Sequence, residues 1–361
     1  MPQWRGAVAV TLGSEIIRVN ATASADEWDE VYRACAGAMP TQSSAWASAI
    51  VVSGGYRNVS RFYEFADGCR AVMPLFAGRF PPGSLAMQYS PPAAWGFGGP
   101  IATAPLSAAH IGSLLEDLAR QPALMTRIRP NPLAASIWRE AAPAGWTRVP
   151  RIAHVLDISG GFEHVWTRQF RQDTRNRIRR AERAGVEISC GADARIIAEF
   201  HQLLRHSFER WGRQQGEPTA LARWRGLRRD PEAKFHAMAA SAGPIFRIWM
   251  ARLDGKPVAA TLVLRDREAH YTRGAMDEDL AGKTYANYLL HSRAIEDACR
   301  EGCSNYHMGE TGCSVSLAQF KSRFGATPRP YAEYHFERLP ISRVDQFARS
   351  LVKRAIGFRD A

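Results

Sequence analysis

The chain has 361 residues, 46% hydrophobic and 23% charged, with a formal net charge of +12 at pH 7. This composition excludes broad disorder, and the length allows two ordinary domains or one large one. The sequence has no apolar run of the roughly 18–20 residues that a membrane helix needs, so we expect a cytoplasmic protein.

The positive charge favours polyanionic partners such as RNA, phosphorylated metabolites or an anionic membrane face. A genome rich in arginine codons would produce the same charge without any such partner, and composition alone leaves both explanations open. Residues 7–12 are apolar but too few for a signal peptide, and they predict a first strand.

The first half predicts a helix followed by a hairpin. A helical segment, 46–53, precedes two strand-like runs in 61–76 that are joined by Asp67-Gly68. A loop rich in proline and glycine occupies 90–100, and such loops are often functional. The remaining predicted elements of this half are a helix at 107–120, a strand at 124–129, a helix at 132–141 and a strand at 152–158.

A basic helix is predicted next, over residues 166–183. Its apolar seam is formed by Phe170, Thr174, Ile178 and Ala181, and Gly185 is a suitable C-cap. On one face of this helix, at i, i+4 and i+8, lie Arg171, Arg175 and Arg179. These arginines lack acidic neighbours, so we predict that they contact phosphates, with a solvated helix face as the alternative.

The last third predicts strand, turn, strand, strand and helix. Strands at 246–253 and 258–265 flank Asp254-Gly255, and a strand at 269–275 precedes a helix at 284–301. The helical region at 200–240 contains four aromatic residues that we assign to the core. Because a helix followed by an Asp-Gly hairpin occurs in both halves, we expect a duplicated domain.

Catalytic motifs are few. The chain has no nucleophile elbow, dinucleotide fingerprint, P-loop or zinc-protease motif, which favours catalysis by positioning and charge stabilisation. Cys299, Cys303, His307 and Cys313 lie close in sequence, but their spacing does not fit a zinc knuckle. We therefore expect no metal.

Three segments carry a family resemblance: RIRRAERAGVEI at 177–188, TYANYLLHSRAIEDACREGCSNYHMG at 284–309 and LAQFKSRFGATP at 317–328. With LDGKPVAATLVL at 253–264, the Trp46 helix and the loop 97–100, the chain resembles the FemABX-like branch of the GNAT acyltransferase superfamily, whose neighbours include BioF2-like acetyltransferases. The resemblance implies an α/β (α+β) fold of two tandem GNAT-like domains. Each is expected to have a mixed, mostly antiparallel sheet flanked by helices.

We place these domains at 1–160 and 161–340, with the active cleft in the second. A basic helix at 341–361 is expected to pack on its own protein, with peripheral contact with the inner membrane face as the alternative. The oligomeric state is left open.

The resemblance also implies a reaction, in which aminoacyl-tRNA donates to an amine of a peptidoglycan precursor or small metabolite. It places a Phe-Lys loop at the cleft, with Lys321 supporting developing or phosphate charge and Phe320 stacking beside it. Arg323 belongs to the same anion clamp. Further substrate-binding candidates are Lys283, Tyr285 and Asn287. No cofactor is expected beyond the donor substrate.

The sequence departs from the family pattern in two ways that affect the choice of acyl donor. At 279–284, where GNAT enzymes bind the CoA pyrophosphate, this chain keeps only one glycine, which weakens acyl-CoA use. It also lacks a long heptad insertion, so tRNA contacts must come from elsewhere, such as the Arg171, Arg175 and Arg179 face. The alternatives are an acyl-CoA-dependent N-acyltransferase in polysaccharide or natural-product tailoring and a non-catalytic RNA- or envelope-binding module.

Overall fold

The computed structural model describes residues 13–81, 85–312, 314–342 and 350. The chain divides into two compact units. Unit 1 contains the described residues up to Arg151 together with Pro330–Pro340, and unit 2 contains Ile152–Arg329. These bounds differ from the predicted domains 1–160 and 161–340, because the chain supplies one more strand to unit 1 after unit 2. The predicted strand 7–12, Cys313 and nearly all of the predicted helix 341–361 lie outside the described residues.

Unit 1 contains two sheets. The strands are β1 (Ile16–Asn20), β2 (Tyr56–Asn58), β3 (Arg61–Phe65), β4 (Arg70–Met73), β5 (Phe76–Gly78), β6 (Met87–Ser90), β7 (Ile101–Ala102), β8 (Met125–Ile128), the first part of β9 (Trp146–Asp157) and most of β15 (Thr327–Glu337). One sheet has the antiparallel order β1-β3-β4-β7, and the other runs β15-β8-β6-β5-β2 with β6 and β8 parallel. The predicted hairpin at Asp67-Gly68 is confirmed as the β3–β4 turn, where Gly68 has a φ of 82°.

Four helices are described in unit 1. They are α1 (Ala25–Ala34), α2 (Ser44–Val52), α3 (Ala108–Arg120) and α4 (Ala135–Ala141), with 3₁₀ turns at Pro40–Gln42 and Pro132–Ala134. Ser107 caps α3 by accepting a hydrogen bond from the His110 N–H. The leucines of α3 pack with Ile128 and Tyr334, which lie on adjacent strands, so this sheet face forms the hydrophobic core.

Unit 2 has one mostly antiparallel sheet. Its strands are β10 (Glu187–Gly191), β11 (Phe246–Leu253), β12 (Lys256–Arg265), β13 (Ala269–Met276) and β14 (Asn305–Glu310), ordered β10-β11-β12-β13-β14-β9. Only β13 and β14 pair in parallel among these neighbours as described. The predicted Asp254-Gly255 hairpin is confirmed, and both turn residues have positive φ, as a two-residue hairpin requires.

The helices of unit 2 pack on this sheet. They are α5 (Gly161–His164), α6 (Gln172–Arg183), α7 (Ala194–Gln214), α8 (Thr219–Arg229), α9 (Glu232–Ala242), α10 (Glu278–Thr284), α11 (Ala286–Arg300) and α12 (Val315–Arg323), with a π-helical turn at Val165–Gln169 and a 3₁₀ turn at Gly243–Ile245. The seam predicted for the basic helix is confirmed, because Phe170, Thr174, Ile178 and Ala181 are all buried. Helix α11 is buried on several sides and forms much of the core with β12.

Residues 279–284 belong to helix α10, because Asp277 caps that helix by accepting from the Asp279 and Leu280 N–H groups. Two local predictions need correction. Phe320 and Lys321 lie in helix α12 rather than in a loop. Trp224, assigned to the core from sequence, is 57% exposed on α8. No helix in the described part of the chain combines the length and apolarity needed to span a bilayer.

Candidate functional site

The parallel pairing of β13 and β14 is short. It joins Ala269 to Tyr306 and His270 to His307, at the beginnings of both strands, and the ladder stops after these pairs. Gly309, further along β14, has a φ of 73° and follows a bulge in the pairing of β14 with β9. A bulge with a glycine in this conformation redirects the backbone that follows it. Gly309 and Glu310 thus lie at the end of β14, beyond its pairing with β13.

Lys321 reaches these carbonyl groups from α12. Its Nζ donates to the Gly309 oxygen at 2.9 Å and to the Glu310 oxygen at 2.8 Å. The residue is only 1% exposed. An ammonium group has three N–H donors, so two hydrogen bonds leave one donor for a further acceptor.

Burial is the main influence on the pKa of Lys321. Desolvation lowers the pKa of Lys321 to about 7, while the Glu310 carboxylate opposes the shift. Two neighbouring histidines stay neutral. Burial and the charge on Lys321 lower the pKa of His154, and the same two causes lower the pKa of His291 to about 3. The lysine is therefore the group in this set that gains or loses a proton near neutral pH.

An aromatic wall lies beside Lys321. The Phe320 ring centroid is 5.2 Å from that of Tyr288, 5.3 Å from that of Phe324 and 5.4 Å from that of His291. Tyr271 completes the wall from β13, with its ring 4.8 Å from His291. The Lys321 charge lowers the pKa of His291, so this ring cluster lies near the lysine.

Three arginines surround two tyrosines at the edge of this wall. Arg177 donates to the Tyr288 hydroxyl, and Arg323 donates to the same oxygen at 3.1 Å. The Arg177 and Arg180 guanidinium carbons lie 5.5 and 4.9 Å from the centre of the Tyr285 ring. Cations stacked on aromatic rings suit the recognition of a nucleotide, since phosphates pair with the cations and bases stack on the rings.

Sequence reasoning identified only part of this arginine–tyrosine group. It included Tyr285 and Arg323 but missed Arg177, Arg180 and Tyr288. The helical pattern held a signal for Arg177, which follows the buried Thr174 by three positions and therefore flanks the seam that packs on α11.

Arg175, the middle residue of the predicted arginine face, binds the backbone of the preceding turn. Arg175 donates through Nη1 to the carbonyl oxygens of Trp166, Thr167 and Phe170, at 2.9–3.1 Å, so its guanidinium closes the π-helical turn. The guanidinium carbon of Arg179 lies 5.7 Å from the centre of the Trp166 ring, and Arg171 is exposed at the N-cap of α6. Arg175 thus has backbone carbonyls as partners, and phosphate contact by the three arginines stays a prediction.

The other predicted substrate-binding residues lie around the start of α11. Tyr285 separates α10 from α11 and has a left-handed φ of 57°. Asn287 donates through Nδ2 to the Met276 sulfur at 3.4 Å, which links α11 to the end of β13. Lys283 is exposed in the last turn of α10. None of the three contacts Lys321 in the described structure.

A separate cavity of about 350 Å³ lies in unit 2, lined by residues from α6, β10, β11 and α11. Its charged wall is internally paired, because Arg293 binds Glu182 at 2.9 Å and Glu296 at 2.8 Å. No predicted site residue lines this cavity. Lys321 therefore lies outside the lining of this cavity.

Among the described residues, no three His, Cys, Asp or Glu side chains form a group that could bind a metal ion. Cys303 is buried, and desolvation raises the pKa of its thiol to about 12, so it is protonated at neutral pH. Desolvation likewise raises the pKa of the Cys299 thiol to about 11. Cys313 lies outside the described residues.

The chain is similar to known proteins in sequence and in fold. Residues 168–322 match the family described as acetyltransferase (GNAT) domain. The crystal structure of FemX superposes with a TM-score of 0.66 at 11% identity, covering 91% of this chain and 99% of FemX. A conserved protein from Bacteroides thetaiotaomicron gives 0.54 at 13% identity, covering 88% and 98%. No curated protein sequence matches the chain.

A third structure is the C-terminal domain of a protein described as a lysylphosphatidylglycerol synthetase, from Agrobacterium fabrum. Its TM-score is 0.51 at 11% identity, covering 92% of this chain and 96% of that domain. At these identities the structures show a shared fold, which confirms the predicted fold class. The residues matched by the family model contain Arg177, Tyr288 and Lys321. The chain thus has the fold of FemX, its residues 168–322 match the acetyltransferase (GNAT) domain family, and the protein is an acyltransferase of GNAT type.

Proposed function

We propose that this protein transfers an aminoacyl group from aminoacyl-tRNA to an amine, forming an amide. The acceptor is a peptidoglycan precursor or a small amine metabolite. The observation that carries the proposal is the buried ammonium of Lys321, which spends two N–H donors on β14 carbonyls and keeps one for a substrate oxygen. A donor fixed in a dry site stabilises the oxyanion of acyl transfer.

The reaction follows from that donor. The neutral amine of the acceptor attacks the ester carbonyl, a C–N bond forms, and the carbonyl electron pair moves onto oxygen. The third N–H of Lys321 donates to this oxyanion. The oxyanion then collapses and breaks the bond to the ribose oxygen of the donor. That oxygen leaves with a proton, which balances the proton lost by the amine.

Three features support RNA as the donor. Arg177, Arg180 and Arg323 present cations around the rings of Tyr285 and Tyr288, an arrangement suited to a nucleotide. The segment 279–284 forms α10 instead of the glycine-rich turn that binds CoA pyrophosphate. The net charge of +12 favours association with a polyanion.

The test compares donors directly. Purified protein is supplied with amine acceptors and either charged tRNA or acyl-CoA, and amide formation is followed by mass spectrometry. We expect product with charged tRNA and none after RNase treatment. Full activity with acyl-CoA in the absence of RNA would disprove the proposed donor.

A second candidate is an acyl-CoA-dependent N-acyltransferase, and the match to an acetyltransferase (GNAT) domain favours it. The same Lys321 donor would then stabilise the oxyanion formed from a thioester. Calorimetry with CoA distinguishes the candidates, because this alternative predicts saturable CoA binding by the purified protein. A complete lack of CoA binding would reject it.

A further inference from the structure

The cavity of about 350 Å³ in unit 2 lies beside the edge of the sheet. Two of its lining residues come from β10 and β11, and the strand order begins with β10, which pairs only with β11 among the described strands. Small-molecule sites in proteins typically have volumes of about 300–1,000 Å³. The cavity is therefore large enough for a small organic molecule.

The apolar part of the lining is formed by Val186, Ile188, Trp249 and Leu289. Ile188 lies opposite Ala251, two positions from Trp249 on β11, so the side chains of Ile188 and Trp249 share a sheet face. Val186 and Leu289 are buried, whereas Trp249 is half-buried, which leaves part of its indole ring uncovered by protein. Such a surface favours a ligand with a ring or a large alkyl group.

Charged side chains of both signs form the rest of the lining. Arg293 donates to Glu182 Oε1 at 2.9 Å and to Glu296 Oε2 at 2.8 Å. Arg300 donates to Asp297, and its own side chain is 67% exposed. Along α11 a guanidinium group is thus followed by two carboxylates and a second guanidinium group. Positive and negative groups alternate beside the apolar surface.

Both kinds of charged group keep hydrogen-bonding capacity for a ligand. Glu182 Oε2 and Glu296 Oε1 accept no hydrogen bond from the described residues, and these side chains are 42% and 38% exposed. The Nη2 of Arg300 binds Asp297 and its Nε lies 3.8 Å from Glu301, which leaves Nη1 without a partner in the described part of the chain. A solvent-accessible acceptor and a solvent-accessible donor therefore border the same cavity.

We infer that this cavity binds a free amino acid with a large apolar side chain. A ligand with charge of one sign is repelled by part of the lining, because guanidinium and carboxylate groups alternate in it. A zwitterion avoids that repulsion, since its ammonium group pairs with the two glutamates and its carboxylate with Arg300. Its side chain lies against Trp249 and Leu289, and it brings no net charge into the cavity. The inference does not depend on the reaction proposed for Lys321.

The test is calorimetric titration of the full chain with L-phenylalanine and with L-leucine. 2-Phenylethylamine and 3-phenylpropionate each lack one charge and should bind at least ~10-fold more weakly than L-phenylalanine, because a hydrogen bond to a charged group contributes about tenfold or more. L-Alanine should also bind at least ~10-fold more weakly, because it buries little apolar surface. Arg300→Gln should weaken L-phenylalanine binding to the same degree and leave 2-phenylethylamine binding unchanged, whereas Arg228→Gln, at an exposed position on α8, should retain wild-type affinity. Failure of the wild type to bind either amino acid would overturn the inference, as would equal affinities for the three phenyl compounds.

A second variant tests whether the ligand occupies this cavity. Ile188→Trp enlarges a lining side chain and should abolish L-phenylalanine binding, whereas Ser189→Trp, at an exposed position on the opposite face of β10, should retain it. If thermal melting shows that Ile188→Trp is unfolded, Glu296→Gln replaces it. That variant should bind L-phenylalanine at least ~10-fold more weakly and 3-phenylpropionate unchanged. Wild-type affinity for L-phenylalanine in the folded variant would place the ligand elsewhere and overturn the inference.

Discussion

Two lysines of unit 2 are buried in different surroundings. Lys234, on α9, is 7% exposed and lies 2.9 Å from the buried Asp230 carboxylate. Lys321, on α12, is 1% exposed and donates to two backbone carbonyls. Burial lowers the pKa of Lys234 to about 8, against the attraction of Asp230, and the pKa of Lys321 to about 7.

The difference lies in what each ammonium neutralises. Asp230 has Lys234 and Arg273 at 2.9 and 3.1 Å, and these charges lower its pKa although burial would raise it. Lys234 is therefore needed by a carboxylate of the fold. The hydrogen-bonding partners of Lys321 are neutral carbonyls, and the proposed function assigns its charge to a substrate oxygen. One buried cation thus neutralises a carboxylate of the fold, and the other is the one to which we assign chemistry.

The largest expected effect is on stability at the paired site. Asp230→Asn leaves Lys234 and Arg273 buried without their anion, so the free energy of unfolding should fall by about 3–5 kcal/mol. Urea denaturation followed by circular dichroism measures it. The control Glu232→Gln removes a half-exposed carboxylate from the same region and should cost less than about 1 kcal/mol. Equal losses in the two variants would refute the structural role of Asp230.

The next effect is on turnover. Lys321→Met retains the length and apolar volume of the side chain but loses the donor, so kcat should fall by about 100-fold. Lys256→Met, at an exposed position beside the β11–β12 turn, should retain wild-type kcat. Steady-state kinetics with the preferred donor supply the comparison. A Lys321→Met enzyme with normal turnover would remove the distinction drawn between the two lysines.

The pH dependence of kcat/KM tests the same proposed role of Lys321. Because the proposed role needs the protonated lysine, and its pKa is lowered to about 7, kcat/KM should fall tenfold per pH unit as pH rises above about 7. Below that pH the lysine is charged and this contribution is constant. Lys321→Arg keeps its charge throughout, so any remaining activity should lack this decline. A decline of the same steepness in Lys321→Arg would assign the titration to another group.

The smallest effect distinguishes two arginines of α6. Arg177→Gln removes a cation stacked on Tyr285 and Tyr288, and we expect about a fivefold rise in KM for the donor with little change in kcat. Arg175→Gln removes the donor to three backbone carbonyls, so it should lower the melting temperature and leave KM unchanged. Reversed outcomes would support the sequence-based prediction that Arg175 contacts phosphate.

Much of the fold could be predicted from local sequence. The Asp-Gly turns, the seam of α6 and the strands of the last third depend on periodicity and turn chemistry, which neighbouring residues determine. The burial of Lys321 could not be derived in this way. It depends on the bulge at Gly309, which presents two carbonyls to a helix that begins several residues later.

The ion pairs of Glu333 escaped prediction for a related reason. Arg127 and Glu333 are separated by most of the chain and meet only through the pairing of β8 with β15. A pattern that spans a few turns of helix cannot show such a contact.

The return of residues 330–340 to unit 1 has a practical consequence. A fragment that stops at Arg151 would lack β15, so the β8 edge would be exposed and three arginines would face one another without their carboxylate. Exposed strand edges promote aggregation. Soluble expression of the amino-terminal half alone should therefore require grafting the last strand onto it through a designed linker.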